Sequence, residues 1–297
     1  MKAITPQISA LVLFILSACS SENNASLETN NTCPNATLCG EQEVVVDSTW
    51  LRDHLEDTDL QLVDIRSAAE YEAGHVPGAI RVELASLRTT VDGVDGQIVD
   101  EATAQEVFRT AGLRNDSAIV VYGESTETSS ARLVWTLEYF GHERVALLDG
   151  GIDDWTRGGN ATDTTAVQAS PSDYVVSEVV SDKRVNADYV LATLSDATVT
   201  LVDARSASEY EAGHIPGALS IDWTRNVSSE GSLLPVSELE ALYPDLNKSQ
   251  PIVSYCQTGS RASVTFLVLR LLGFADVRLY DGSWSEWGAR SDLPREP

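Results

Sequence analysis

Lysine is almost missing from this chain: among 297 residues only Lys2, Lys183 and Lys248 carry it, and the formal net charge is −25. So acidic a surface repels polyanions, which excludes nucleic acid as a partner, and it repels anionic small molecules at long range. Long apolar runs are missing too. Ile8 to Ile15 falls well short of the roughly 20 apolar residues that span a bilayer. Cysteine is sparse, at Cys19, Cys33, Cys39 and Cys256, with no second Cys pair or His cluster near Cys33 and Cys39, so no zinc site is expected. Asp92, Asp95 and Asp100 do not complete a calcium-loop spacing and read as a solvated acidic turn. No metal and no cofactor are expected.

What is present starts with Cys256. It follows the strand-like run Pro251 to Tyr255 and opens the loop Gln257-Thr258-Gly259-Ser260-Arg261, after which a helical pattern begins at Ala262. A thiol at a strand-to-helix turn faces backbone N–H groups and a helix N-terminus, whose partial positive charge favours an anion. The thiolate is the nucleophilic form of cysteine, so this turn suits sulfur chemistry better than a core cysteine would.

The second feature is an internal repeat. The run Val63 to Ile80, with Asp64, Arg66, Glu70, Tyr71, Gly74 and His75, returns at Val202 to Leu219 with four exchanges: Ile65/Ala204, Ala69/Ser208, Val76/Ile215 and Ile80/Leu219. Asp149-Gly150-Gly151 ahead of Trp155 is matched by Asp281-Gly282-Ser283 ahead of Trp287. A unit of this length is a duplicated domain rather than a solenoid repeat. Apolar β-branched runs alternate with helical patterns in both copies, which implies α/β domains, each with a parallel sheet flanked by helices. The expected strands are Gln61 to Asp64, Ile119 to Tyr122 and Val145 to Leu148, then Val199 to Asp203, Ile252 to Tyr255 and Val277 to Tyr280. Helices are expected at Ala102 to Ala111, Ser130 to Phe140, Val236 to Tyr243 and Ala262 to Leu272.

Asp-x-Arg-x-x-x-Glu-Tyr-x-x-Gly-His-Ile/Val-Pro-Gly-Ala, the Cys-headed loop, and Asp-Gly-Gly/Ser before a Trp together resemble the rhodanese (thiosulfate/3-mercaptopyruvate sulfurtransferase) family in its tandem form. The resemblance implies a sulfurtransferase working by a ping-pong route: Cys256 takes a sulfur atom from a small-molecule donor, thiosulfate or 3-mercaptopyruvate, and passes it to a thiol or cyanide. Four residues separate Cys256 from Arg261, one fewer than in the related dual-specificity phosphatases, which favours sulfur over a phosphoryl group. Gly123 stands in the first copy where Cys256 stands in the second, so the first domain is expected to be catalytically silent and to cover one wall of the cleft. The family's thiosulfate enzymes carry basic residues where this chain has Gln257 and Thr258, its mercaptopyruvate enzymes carry Gly-Ser there, and both classes carry an Arg where it has Glu209. Arg261 either binds an anionic donor or ties the loop to a nearby carboxylate. Asp64, Arg66 and His75, like Asp203, Arg205 and His214, read as structural, each Asp and Arg forming an internal ion pair.

The N-terminus reads as a leader. Lys2, the apolar run and Leu16-Ser17-Ala18-Cys19 resemble a bacterial lipoprotein signal, with residues 1–18 removed and Cys19 lipidated. Residues 19–43 form a polar tether in which Cys33 and Cys39 pair as a small-loop disulfide or remain free thiols. Then follow the silent domain (44–160), a linker (161–172) and the catalytic domain (173–297). The expected location is the bacterial cell envelope, facing the periplasm and held by the lipid alone, with the outer membrane favoured by Ser20 after Cys19. A periplasmic reductant, of unknown identity, keeps Cys256 reduced. The competing reading is a persulfide carrier or redox-sensing module without turnover.

Overall fold

The computed structural model describes Leu38 and residues 43–297; Cys19, Cys33 and Cys39 lie outside the described residues, and with them the leader and nearly all of the tether. In the first domain the elements run β1 (Val45–Val46), α1 (Ser48–His54), β2 (Leu60–Asp64), α2 (Ala68–Ala73), β3 (Ile80–Arg81), β4 (Arg88–Val91) and β5 (Val94–Ile98). They continue as α3 (Glu101–Thr110), β6 (Ala118–Tyr122), α4 (Thr128–Tyr139), β7 (Val145–Leu148) and α5 (Gly151–Arg157). The second domain opens with β8 (Arg184–Val185), α6 (Ala187–Thr193), β9 (Thr200–Asp203), α7 (Ala207–Glu211) and β10 (Leu219–Ser220). It closes with α8 (Val236–Leu242), β11 (Ile252–Tyr255), α9 (Ser260–Leu271), β12 (Val277–Tyr280) and α10 (Ser283–Trp287).

The two sheets have one topology. The first is ordered β1-β7-β6-β2-β3 and the second β8-β12-β11-β9-β10, with every pairing parallel. Central strands such as β6 and β11 are buried along their whole length. This is why they read as continuous apolar runs rather than as alternating ones. The strands and long helices predicted from the sequence all form, with ends shifted by one or two residues.

Helices α4 and α9 explain how the two copies make one body. Ser130 to Glu138 and Ala262 to Leu269 are buried without a break. A helix buried on every face sits inside a core rather than on a surface, and the buried charges of α4, Arg132 and Glu138, are each paired there. One apolar cluster holds Leu133, Val134 and Leu137 of α4 together with Phe266, Leu267 and Leu269 of α9. Separate cores, one around Trp155 and one around Trp287, fill the outer faces of the sheets. Within the shared core Glu138 binds Lys183 at 2.8 Å and also pairs with Arg270 of α9, so the one carboxylate there is matched by cations from the second copy.

Residues 161–180 form no helix or strand beyond an isolated bridge, and they run along the first domain. Tyr174 and Val176 are buried there, with Arg109 Nε donating to the Tyr174 carbonyl and the Val176 N–H donating to Gln105. The segment attached to the first domain thus continues past Ser172.

Candidate active site

Cys256 stands at the carboxyl end of β11, between the strand and α9, where open parallel sheets place their ligands. The residue is 1 % exposed. Its N–H donates to Ser283 Oγ at 3.2 Å and its carbonyl accepts the Trp284 N–H at 2.9 Å. The Gln257 carbonyl accepts the Ser285 N–H at 3.0 Å, and the Gln257 side-chain amide donates to Ser285 Oγ. The start of α10 therefore buttresses the loop from behind. Gly259 turns the chain into α9 with φ +84, a left-handed value natural to glycine. The first helical bond runs from the Ser263 N–H to the Gly259 carbonyl. Among the described residues the N–H groups from Thr258 to Ala262 thus have no protein acceptor, and they form a nest for an anion at the mouth of a twelve-residue helix.

The structure joins two of the residues singled out in the sequence. Arg261 grips Glu209 through both nitrogens, each at 2.7 Å. Of the two roles open to Arg261 from sequence, tying the loop to a carboxylate is the one formed. Glu209 also completes the capping box of α7, accepting from the Ser206 N–H and hydroxyl. The Arg261 guanidinium holds the Glu209 carboxyl down at about 2, with the Ser206 bonds adding to the effect. Arg261 itself is raised, first by Glu209 and further by the Cys256 thiol nearby. Thr258 packs against the first domain, close enough that a Cβ on Gly96 would lie 3.3 Å from its Cβ. The Ser260 hydroxyl accepts from Arg88 at 2.5 Å.

The repeated Asp-x-Arg motifs are internal supports. Asp203 and Arg205 form a buried forked pair with contacts of 2.6 to 3.1 Å, and Asp64 with Arg66 repeats it in the first domain. Arg205 and Arg66 also donate to the Gly213 and Gly74 carbonyls, pinning the turn before each His. His214 stacks on Tyr210 and His75 on Tyr71, away from the loops.

In the first domain the corresponding loop is occupied by its own side chain. A Cβ on Gly123 would overlap the Glu127 carboxylate, which accepts from the Glu124 backbone. In that copy the Thr126 N–H is taken by the Gly231 carbonyl, and burial raises the Glu127 carboxyl above its ordinary value.

Sequence reasoning missed three participants. Ser283 is buried with φ +50, an unusual value for a residue with a side chain, and its hydroxyl donates to the Tyr280 carbonyl while accepting from Cys256. Its signal was the Gly151/Ser283 exchange between the repeats. Arg88 and Arg132 come from the first domain. Arg261 is neutralised by Glu209, and two guanidinium groups from the other copy flank the loop. Arg88 lies 172 residues from its Ser260 partner and gave no local signal.

Comparison with known proteins agrees with this arrangement. The rhodanese-like domain model matches twice, at residues 47–157 and 186–290. The chain is 35 % identical over 274 residues to the thiosulfate sulfurtransferase of Corynebacterium glutamicum, covering 86 % of this chain and 90 % of that one. It is 33 % identical over 275 residues to the 3-mercaptopyruvate sulfurtransferase of Escherichia coli, covering 85 % of this chain and 97 % of the relative. The crystal structure of SseA from Escherichia coli, a rhodanese-fold protein of the 3-mercaptopyruvate class, superposes with a TM-score of 0.74 at 30 % identity, over 81 % of this chain and 98 % of the other. A duplicated α/β domain, a Cys-headed nest in one copy and relatives matched over nearly their full length place the chain in the rhodanese family, as a tandem-domain sulfurtransferase.

Proposed function

We propose that this sulfurtransferase works through a persulfide on Cys256. The observation that carries the reading is the open nest of Thr258 to Ala262 amides beside the only cysteine among the described residues, set against a first-domain loop closed by Glu127. With thiosulfate, the Cys256 thiolate attacks the outer sulfur and the donor S–S bond breaks. Its electron pair leaves with sulfite, and Cys256 keeps the sulfur as an anionic persulfide. With 3-mercaptopyruvate, the C–S bond breaks instead, and the carbon that receives the pair is protonated to give pyruvate. In the second half-reaction cyanide or a thiolate attacks the outer persulfide sulfur, leaving as thiocyanate or as a new persulfide and restoring the Cys256 thiolate. The loop amides favour the anionic persulfide as oxyanion-hole donors favour an alkoxide.

The cellular setting belongs to the same proposal and rests on the leader sequence. Cys19 carries the lipid, the folded body faces the periplasm from the outer membrane, and a thiol reductant there returns Cys256 to its reduced form.

Intact-mass measurement after donor treatment tests the chemistry. The wild type gains a sulfur atom that added cyanide or dithiol removes over many turnovers, and Cys256→Ser gains none. Sulfur retained by Cys256→Ser overturns the assignment. Uptake without catalytic release favours the carrier reading.

A further inference from the structure

The loop has no cation at Gln257 or Thr258, and Arg261 is held by Glu209, yet an anionic donor must approach through a field of net charge −25. The counter-charge stands across the domain boundary. Arg88 begins β4, and its Nη2 donates to Ser260 Oγ at 2.5 Å while its Nε is buried with no acceptor. Arg132, on α4, is 1 % exposed, with Nη2 bound to Asp281 at 2.5 Å and Nη1 buried with no acceptor. That Nη1 points at the loop: a Cβ on Gly259 would come within 2.5 Å of it. Asp281 also pairs with Arg184 at 3.2 Å and accepts the Ile98 N–H, so this carboxylate is shared by two guanidinium groups and leaves none for Arg88. Buried cationic donors without acceptors are costly to a fold unless an anion completes them.

We propose that Arg88, supplied by the Cys-less domain, forms an anion subsite over the Cys256 sulfur and binds the sulfonate or carboxylate of the incoming sulfur donor, with Arg132 positioning the loop beneath it. The donor is thus a small molecule with an anionic group beside its transferable sulfur, and this identification of the anion rests on the Cys256 reading above. Burial, with Arg132 close by, makes Arg88 easier to deprotonate than a free arginine, a strain that a bound anion relieves. Arg88 closes a short helical turn at Leu84–Leu87, and the residue closing the matching turn of the second domain is Val227. At that position the Gly123 copy is therefore matched with an uncharged side chain.

Alkylation of Cys256 by iodoacetate and by iodoacetamide, followed by intact mass, separates charge recognition from loop integrity. The two reagents expel the same leaving group and differ in one negative charge. In Arg88→Gln the iodoacetate-to-iodoacetamide rate ratio falls about tenfold, in Arg88→Lys it falls less, and the iodoacetamide rate stays within about twofold of wild type. In steady state the KM for thiosulfate rises about tenfold in Arg88→Gln while kcat changes by less than about threefold. Rates that fall together for both reagents, or an unchanged ratio, overturn the subsite. A lowered ratio in a protein whose wild type takes sulfur from neither donor leaves the subsite standing and overturns the persulfide reading instead.

Discussion

The Glu127 carboxylate occupies the space that a side chain on Gly123 would need, so the first copy of the loop is closed from within. Restoring a thiol there does not restore a reaction centre. Gly123→Cys overpacks the loop and is expected to lower stability by about 1–3 kcal/mol. Adding Glu127→Ser recovers most of that loss. Neither variant gains a second sulfur on treatment with thiosulfate, because the turn matching the one that Arg88 closes ends in Val227, which carries no charge. Denaturant unfolding and intact mass check both statements; a second sulfur in either variant contradicts them.

Ser283 gives an inverted order of substitutions. Ser283→Ala keeps the left-handed backbone and removes the acceptor for the Cys256 N–H, whereas Ser283→Gly loses the same bond and relieves the strain. The alanine variant is therefore expected to be less stable than the glycine variant by about 1 kcal/mol. Both should reduce sulfur transfer, since the loop loses its rear support. Urea midpoints decide the order.

His142 confers a pH dependence on the first domain. Burial drives its pKa down to about 4, and the neutral ring is held between the Ser117 carbonyl and the Tyr174 hydroxyl. The unfolded chain binds this proton near the ordinary value of about 6.5. The His142 contribution is thus complete above that pH and is lost as pH falls from about 6.5 to 4, a total on the order of 3 kcal/mol. Stability measured by urea from pH 7 to 4 should fall more steeply in the wild type than in His142→Gln. Parallel slopes would remove His142 from the account.

Membrane attachment follows the leader proposal. Cys19→Ala is expected to abolish lipid incorporation and to move the protein from the membrane to the soluble fraction, with sulfur transfer by the folded body unchanged. Fractionation with a labelled fatty acid checks it.

How much of this was legible differs by element. β6 and β11 showed in the sequence as short apolar runs, and α4 and α9 as mainly apolar stretches stopped by Gly141 and Gly273. The β4–β5 hairpin did not. Its residues are largely polar, its turn is acidic, and it finds its reason only in the partner domain, where Gly96 meets Thr258 and the Ile98 N–H meets Asp281. The Glu209–Arg261 pair spans 52 residues, so neither residue alone announced the other. Cys256 was legible because its nest is local. Arg88 and Arg132 were not, since their importance comes from a packing that no single window contains.

Each loop is also roofed by the opposite copy. The Ile98 N–H of the first copy binds Asp281 behind the Cys256 loop, and the Leu233 N–H of the second binds Asp149 behind the Gly123 loop, where the Thr126 N–H meets the Gly231 carbonyl. Such reciprocal roofing sets unequal limits on divergence after a duplication. Either copy is free to surrender its thiol, since that loss stays within one loop. Neither can be deleted, because its crossing segment is the ceiling of its sister's chamber. The half without a cysteine is kept in place by the architecture of the half that carries one.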